Sequence, residues 1–423
     1  MDKQKSSSIL ASRVPALTSR NFRLFWGGQL ISLIGTWMQN IGQAWLVLQL
    51  TDSAFKLGLV NALQFLPMTM FSLVAGTFVD RFPKRKILLF TQTSFMVLAF
   101  ILATLTHLEK IQYWHILILA SGLGLVNSFD IPTRQSYVIE LVGKEKIMNA
   151  IALNSAIFNL GRILGPAVAG IMIGLLGMAT CFYINAFSFL AVIYGIWLID
   201  AEPLIRKVEG VHVFREIREG VAYVRHLPVL ILPLSLMAVF STFIMNYNVL
   251  IPVFAKQNMD QSAMGFGLLM TAVGVGSMFS ALLSAVSGSK WPIIRTLLGG
   301  ALGASFFMVV WSFQTDFILV CLILFAVGFF TISFTMSANT TLQLYTDDRM
   351  RGRVMSMFAF VWSGLMPLGS IFAGQVAEIA GAKLCILLSG LIGLVASSAA
   401  VMIIRKKPEI FPFPSSNVKV KDE

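Results

Sequence analysis

The sequence predicts an all-α membrane protein of twelve transmembrane helices, arranged as two pseudo-symmetric six-helix bundles around a central cavity. Three observations predict this fold class. Of 423 residues, 57% are hydrophobic and 12% are charged, whereas soluble domains carry roughly 25% charged residues. Twelve apolar runs each approach or exceed the ~20 residues that span a bilayer. The first six runs and the last six also share a pattern of glycines.

The apolar runs fall into two groups of six, separated by a polar interval. They lie at about 24–50, 57–79, 87–106, 112–129, 150–174, 179–199, 229–254, 264–288, 292–312, 317–338, 354–376 and 384–404. The chain is therefore divided into an N-terminal segment 1–21, a six-helix bundle 22–200, a linker 201–227, a second six-helix bundle 228–404 and a tail 405–423. In the linker, apolar residues from Val211 on recur every three or four positions. This period predicts an amphipathic helix, either on the membrane surface or packed beneath the bundle.

Basic residues are distributed unequally between the loops. Of 32 Lys and Arg residues, 27 lie in one alternating set of loops and terminal segments, and four lie in the other set. By the positive-inside rule, both termini are cytoplasmic and the protein is a multi-pass protein of the cell (inner) membrane. The net charge of +12 therefore indicates membrane topology and no nucleic-acid partner. The remaining cation, Arg162, lies inside the fifth run.

The two groups of runs match each other in their glycine positions. Gly124 and Gly170 are 46 positions apart, as are Gly328 and Gly374. The sequence around Gly58 in helix 2 likewise matches that in helix 8. Such similarity is expected of a transporter built from two parallel repeats; the alternative is chance matching of glycine-rich helices.

A charged turn separates the second and third runs, with the spacing Gly76-x-x-x-Asp80-Arg81-x-x-Lys84-Arg85. Its charges require a position in water. The spacing resembles the loop between helices 2 and 3 of the major facilitator superfamily of secondary transporters, except that Pro83 replaces the second glycine. The alternative is an ordinary basic loop that only sets the orientation of the protein.

Helix 5 carries the sequence Gly161-x-x-x-Gly165-Pro166-x-x-x-Gly170. It resembles the signature of drug and proton antiporters in the same superfamily, with Ala169 at one usual glycine. The resemblance implies that this small-residue face packs on helix 8.

At the end of the fourth run, Asp130-Ile-Pro132-Thr-Arg134 resembles the branch of the enterobactin exporter and the macrolide efflux proteins. The superfamily resemblance further implies that the loop acid contacts the start of helix 11, and that Lys84 or Arg85 pairs with Asp130. The alternative is that these pairs only stabilise one static fold. The expected gate residues are Gly76, Asp80, Arg81, Lys84, Arg85, Asp130 and Arg134.

Polar residues predicted at mid-depth identify a candidate substrate site, because each is costly in lipid unless it faces a cavity or another helix. The residues chosen are Gln39, Asn40, Gln43, Asn159, Arg162, Asn246 and Asn339. The neighbouring aromatic residues favour a bulky amphipathic substrate. For each amide, an interhelical hydrogen bond is the alternative.

Arg162 lies about fourteen residues beyond Met148, or roughly 21 Å along a helix, past the middle of a ~30 Å core. Two roles are open for it. It either contacts an anionic part of the substrate or pairs with carbonyls and amides at the surface of helix 5.

The runs contain no deep carboxylate, so the coupling ion stays open, with protons as the candidate ion and Asp130 as a candidate site. No nucleotide-binding loop, cofactor motif, metal-ligand spacing or catalytic constellation is present. We therefore expect a monomeric secondary active transporter that exports small amphipathic molecules of the drug or siderophore type by alternating access. The alternatives are an importer or facilitator of a polar nutrient and, less favoured, a membrane enzyme or receptor.

Overall fold

The first half of the molecule consists of six long helices. The computed structural model describes residues 14–200, 213–287 and 292–410. The first six helices are α1 Arg20–Thr51, α2 Ala54–Arg81, α3 Lys84–His107, α4 Tyr113–Gly143, α5 Glu145–Leu176 and α6 Met178–Trp197. A kink at Gly143, whose φ is 72°, separates α4 from α5. Glycine adopts this left-handed conformation without the steric cost that other residues meet.

The second half repeats this arrangement with two broken helices. Its helices are α7 Val213–Arg225, α8 Pro228–Val239, α9 Tyr247–Met259, α10 Ala263–Ser287, α11 Ile293–Ser312, α12 Phe317–Leu344, α13 Asp348–Gly364, α14 Met366–Ala380 and α15 Ala382–Lys406. A π-helical segment, Phe240–Ile244, separates α8 from α9. Together these three segments form the seventh predicted span, which we call helix 7. The eleventh predicted span, helix 11, is likewise interrupted at Leu365 and consists of α13 and α14. Interruptions of this kind in membrane helices often lie at functional sites.

Eleven helical segments of the described chain are long and apolar enough to cross a membrane. The all-α membrane fold class is therefore confirmed. Helix α1 has 32 residues but is not one of the eleven, because amides such as Gln29, Gln39, Asn40 and Gln43 lower its hydropathy. The predicted total of twelve depends on this helix.

Several helices extend beyond the predicted apolar runs. Helix α4 continues through Asp130 to Gly143, and α12 continues to Leu344. Outside the hydrocarbon core, polar residues do not stop a helix when side-chain pairs one turn apart support it. Asp130 and Arg134 form such a pair.

The predicted duplication is visible as identical contacts in the two halves. A Cβ on Gly124 would overlap the carbonyl oxygen of Gln64, and a Cβ on Gly328 would overlap that of Val273. The Cys181 thiol contacts the Ala169 carbonyl at 3.9 Å, and its counterpart 204 positions later, Cys385, makes the equivalent contact at 3.6 Å. The matching glycine positions of the two halves of the sequence therefore correspond to a repeat in the structure.

The two halves meet through helix pairs that are also related by the repeat. Gly58 of α2 lies against Gly374 of α14, where an added Cβ would be 3.0 Å from the Gly374 Cα. Gly267 of α10 lies against Gly170 of α5 in the same way, at 3.2 Å. Small residues allow the backbones to approach this closely.

The expectation that the whole glycine face of helix 5 packs on helix 8 is wrong in part. Gly161 and Gly165 face Trp37 of α1, whereas Gly170 faces Met264 of α10. Successive residues of a helix are about 100° apart, so positions 161 and 165 lie on a different strip from positions 166 and 170. Helix α5 is therefore held between α1 of its own half and α10 of the other.

The linker helix α7 packs beneath the second half, which is one of the two predicted arrangements. Its Gly220 lies against Arg353 and Met357 of α13, and the Tyr223 hydroxyl donates to Asp347 at 3.0 Å. The predicted linker residues 201–212, the N-terminal residues 1–13 and the tail from 411 on lie outside the described residues.

Replacing Gly124 or Gly328 with alanine is expected to destabilise the protein by about 1–3 kcal/mol, because the added methyl group overlaps the facing backbone. Gly174→Ala is the matched control, since nothing lies within 4 Å of its Cβ position. Thermal unfolding can be followed with a thiol-reactive dye, because Cys181 and Cys385 are buried until the protein unfolds. Equal melting temperatures for the three variants would contradict the proposed contacts.

Candidate functional site

A buried carboxylate lies where α1, α3 and α4 meet. Asp130 is fully buried and accepts hydrogen bonds from the Thr91 hydroxyl at 2.7 Å and the Gln92 amide at 2.8 Å. It also pairs with Arg134, one turn later on α4. Arg134 in turn donates to the side-chain oxygen Oε1 of Gln29, on α1, at 2.5 Å. One charged pair and three polar side chains thus connect three helices of the first half.

This arrangement corrects two expectations about Asp130. The residue lies inside α4 and not at its end, because the helix continues to Gly143. Its partners are Thr91, Gln92 and Arg134, and not the loop cations Lys84 or Arg85. Arg134, four residues away on the same helix, already occupies the position that a loop cation would need.

The loop cations instead attach the start of α3 to its neighbours. The Lys84 ammonium contacts the Glu140 carboxylate of α4 at 2.5 Å, and both side chains are buried. Arg85 donates to the carbonyl oxygens of Ile196 at 3.2 Å and Trp197 at 2.7 Å, at the end of α6. A cation at a helix C-terminus also interacts favourably with the helix dipole.

The other predicted gate residues lie near the end of α2. Arg81 is exposed in its last turn. The surroundings of Gly76 and the side chain of Asp80 lie outside the part of the chain that the structure describes. At the start of α13, where the loop acid was expected to dock, Arg353 pairs with Glu219 of α7 at 2.8 Å.

The opposite end of the molecule carries a polar connection between the halves that the sequence analysis missed. The Lys256 ammonium of α9 contacts Asp52 at 2.9 Å and the Leu48 carbonyl at 2.7 Å. Glu378 of α14 accepts from the Ser53 hydroxyl at 3.1 Å and the Phe55 backbone at 3.3 Å, at the start of α2. We call these residues the end latch. The repeat gave no signal for this meeting, because it relates Asp52 to Asp260, which ends α9 in the same left-handed conformation, and not to Lys256.

Arg162 lies near the middle of α5, a helix of 32 residues. One guanidinium nitrogen donates to the side-chain oxygen Oδ1 of Asn159 at 2.9 Å, while the buried Nε has no hydrogen-bond partner. Tyr247, the first residue of α9, lies within electrostatic range of this guanidinium. The Tyr247 hydroxyl lies 2.8 Å from that of Thr331 on α12. The structure therefore brings Arg162 and Asn159 together and adds two residues of the second half.

Other amides of the predicted substrate site are used in packing. The side-chain oxygen Oε1 of Gln39 accepts a hydrogen bond from the side-chain amide of Asn185, on α6, at 2.6 Å. Asn246 is buried, donates to the Thr242 carbonyl at 2.7 Å and lies beside Gly369. The Gln39 contact is an interhelical hydrogen bond, which was the alternative for these amides, whereas the Asn246 contact is local and lies four residues back along the chain.

The remaining predicted residues differ in depth and environment. Gln43 is buried and Asn40 half-buried in α1. Asn339 is not at mid-depth, because α12 extends to Leu344 and places it one turn from the helix end, where it accepts from Gln343. The apolar run had been taken to end before this polar turn.

A family model described as transmembrane secretion effector matches residues 11–414, nearly the whole chain. The chain belongs to this family of major facilitator superfamily transporters. The predicted superfamily membership is thereby confirmed, and the protein is a transporter and not an enzyme.

Relatives of the transporter support the same conclusion. The chain is 26% identical over 381 residues to the staphyloferrin A transporter of Staphylococcus aureus, covering 85% of this chain and 90% of that protein. It is 26% identical over 347 residues to the multidrug efflux pump Tap of Mycolicibacterium fortuitum, with coverages of 80% and 84%. It is 22% identical over 378 residues to macrolide efflux protein A of Streptococcus pyogenes, with coverages of 87% and 92%. The predicted resemblance to efflux proteins is confirmed.

The fold is similar to the crystal structure of a bacterial homolog of the human lysosomal transporter Spinster, in an inward-facing and unoccupied conformation. The TM-score is 0.74 with 14% identity, covering 93% of this chain and 98% of that one. At this identity the similarity concerns the fold alone.

Two apolar grooves of the transporter lie away from the predicted substrate residues. One, of about 590 Å³, lies between α1, α5 and α6 beside Met38 and Val168. The other, of about 380 Å³, lies between α3 and α6 beside Phe100 and Phe187. Neither is lined by Arg162 or by the predicted amides.

Replacing Glu140 with glutamine is expected to destabilise the transporter by about 3–5 kcal/mol, because it leaves the Lys84 ammonium buried without this carboxylate. Glu145→Gln, at an exposed position close by, is the matched control. The melting temperature of the purified protein provides the measurement. Unfolding of both variants at the wild-type temperature would show that the pair does not stabilise the fold.

Proposed function

We propose that the transporter is a secondary active exporter of small amphipathic molecules, of the drug or siderophore type, working by alternating access. The observation that carries this proposal is the asymmetry of the contacts between the halves. Gly58 with Gly374, Gly170 with Gly267 and the end latch all lie at, or toward, the end of the bundle remote from the termini. The names of the efflux relatives support the direction of transport.

The end latch is weak enough to open during a transport cycle. Asp52 is largely exposed, with 74% of its side chain accessible. Exposed ion pairs of this kind contribute about 0–1 kcal/mol each. The halves can therefore separate at this end at little cost when substrate or ion binding favours the opposite closure.

The closure at the other end would involve the charged turn between α2 and α3. Lys84 and Arg85 attach the start of α3 to α4 and α6, so the turn moves rigidly with the first half. We propose that Gly76, Asp80 and Arg81 then approach the start of α13, where Asp80 meets the helix N-terminus and its cations. Such a contact with the helix dipole is worth ~0.3–1 kcal/mol.

Protons are the proposed coupling ion, with Asp130 as the carboxylate. It is fully buried, and the groups facing it are Arg134 of its own helix and Thr91 and Gln92 of α3. Gln29 of α1 contacts Arg134 from the far side. Protonation of Asp130 would release Arg134 and loosen the connection between three helices, which would link proton binding to helix movement.

Both termini are proposed to be cytoplasmic, in the inner membrane, with the monomer as the working unit. Single cysteines at Lys86 and Lys110, both exposed, test the orientation in a variant that lacks Cys181, Cys321 and Cys385. A membrane-impermeant thiol reagent should label position 110 from outside intact cells and position 86 only from the cytoplasmic side. The reverse pattern would overturn the assignment, which rests on the loop charges.

The direction of transport is tested in inverted membrane vesicles with a panel of dyes, macrolides and catecholates. Wild-type vesicles should accumulate at least one compound when a proton gradient is imposed. Accumulation only in intact cells would instead support the importer of a polar nutrient.

In the same vesicles, Asp80→Asn should lower the rate of accumulation about fivefold, the change expected from losing ~1 kcal/mol of gate stabilisation. Asp260→Asn is the matched control, because Asp260 is exposed and adopts a left-handed conformation that Asn also tolerates. A wild-type rate for Asp80→Asn at normal expression would remove Asp80 from the gate.

A further inference from the structure

Arg162 is positioned between the two halves of the transporter. Gly161 and Gly165 place one side of α5 against α1. On the other side, α10 approaches so closely that a Cβ on Gly274 would lie 2.9 Å from the Arg162 carbonyl oxygen. The Arg162 backbone therefore lies at the seam between the halves, and its guanidinium lies within electrostatic range of Tyr247 of the second half.

The charge of Arg162 is not balanced by any acid of the described residues. A guanidinium carries five N–H donors and stays ionised. One of its nitrogens donates to Asn159, and the buried Nε has no acceptor. A cation inside a membrane-spanning helix is costly unless it has a partner. The site therefore lacks an acceptor with a negative charge.

The second half contributes the hydroxyl of Tyr247, which lies within electrostatic range of this cation. Tyr247 begins α9 directly after the break in helix 7, and its hydroxyl is held by Thr331 of α12 at 2.8 Å. Because a phenol can donate one hydrogen bond and accept others, Tyr247 can donate to an anion that Arg162 attracts. Such an anion would contact both halves at once.

An aromatic surface lies one helical turn from Arg162. Phe158 precedes it by four positions, so the two side chains share a face of α5. Phe158 is 46% exposed and packs edge-to-face on Trp37, with 5.7 Å between the ring centroids. A ligand whose charged end reaches Arg162 would place an apolar body against these rings.

We propose that Arg162 and Tyr247 form the carboxylate-binding end of the substrate site, and that the substrate is an amphipathic monocarboxylate with an apolar or aromatic body. This inference rests on the proposed export function and specifies its substrate class. One unbalanced cation matches a single negative charge. The planar guanidinium fork also matches the two oxygens of a carboxylate. Because the two residues belong to different halves, the bound carboxylate would connect the halves during transport.

Binding to the purified transporter is measured with 1-naphthylacetate, 4-phenylbutyrate and indole-3-acetate, each beside its neutral carboxamide. Wild-type protein should bind at least one carboxylate about tenfold more tightly than its amide, the size expected of a charge-assisted contact worth about 1.4 kcal/mol. Arg162→Gln should abolish this preference. Arg162→Lys should retain part of it, because lysine keeps the charge but loses the fork. Tyr247→Phe should reduce it several-fold.

Arg295→Gln is the matched control, because Arg295 is exposed at the start of α11, and it should keep the wild-type preference. If Arg162→Gln does not fold, Tyr247→Phe and Arg162→Lys supply the test. The inference is overturned if no carboxylate binds wild type better than its amide, or if the preference persists in the folded Arg162 and Tyr247 variants. Dye export without a carboxylate preference would leave the proposed function intact, whereas the preference without export by wild type would refute only that function.

Discussion

The close approach of backbones at paired glycines is the constraint on which the rest of the structure depends. In a bilayer, helices gain little from apolar contact because lipid is equally apolar, so their association depends on close packing and polar contacts. Gly58 on Gly374 and Gly267 on Gly170 bring the halves together twice, in equivalent geometry. Gly124 and Gly328, by contrast, pack within one half, so the close contacts between the halves are separate from those inside each half.

Charged residues also differ between the inside of a half and the contact between the halves. Asp130, Lys84 and Glu140 are buried, and each has an opposite charge or several hydrogen bonds as partner. These contacts lie within the first half and connect its helices. The pairs that join the two halves are more exposed, as at Asp52 and Lys256. The buried charges are thus used inside one half, and the exposed ones between the halves.

The fold was predictable from the sequence because apolar length, loop charge and repeated glycines each report a property of the bilayer or of the duplication. The candidate site was harder to predict from the sequence. Apolar runs ended before Asp130 and Asn339, so a buried carboxylate was placed at a helix end and a peripheral amide at mid-depth. Arg162 stood out because a cation inside a run is costly. Tyr247 did not, because it lies in the other half of the sequence and no spacing relates it to Arg162.

The pairing of Asp52 with Lys256 has a consequence for how evenly the two copies of the repeat are joined. Asp52 and Asp260 end their helices in the same left-handed conformation, so they occupy equivalent positions of the repeat. Lys256 precedes Asp260 by four positions, as Leu48 precedes Asp52. The counterpart of the ion pair would therefore join Leu48 to Asp260, and leucine carries no charge. Two identical copies with the lysine would form this pair twice, whereas the diverged copies form it once.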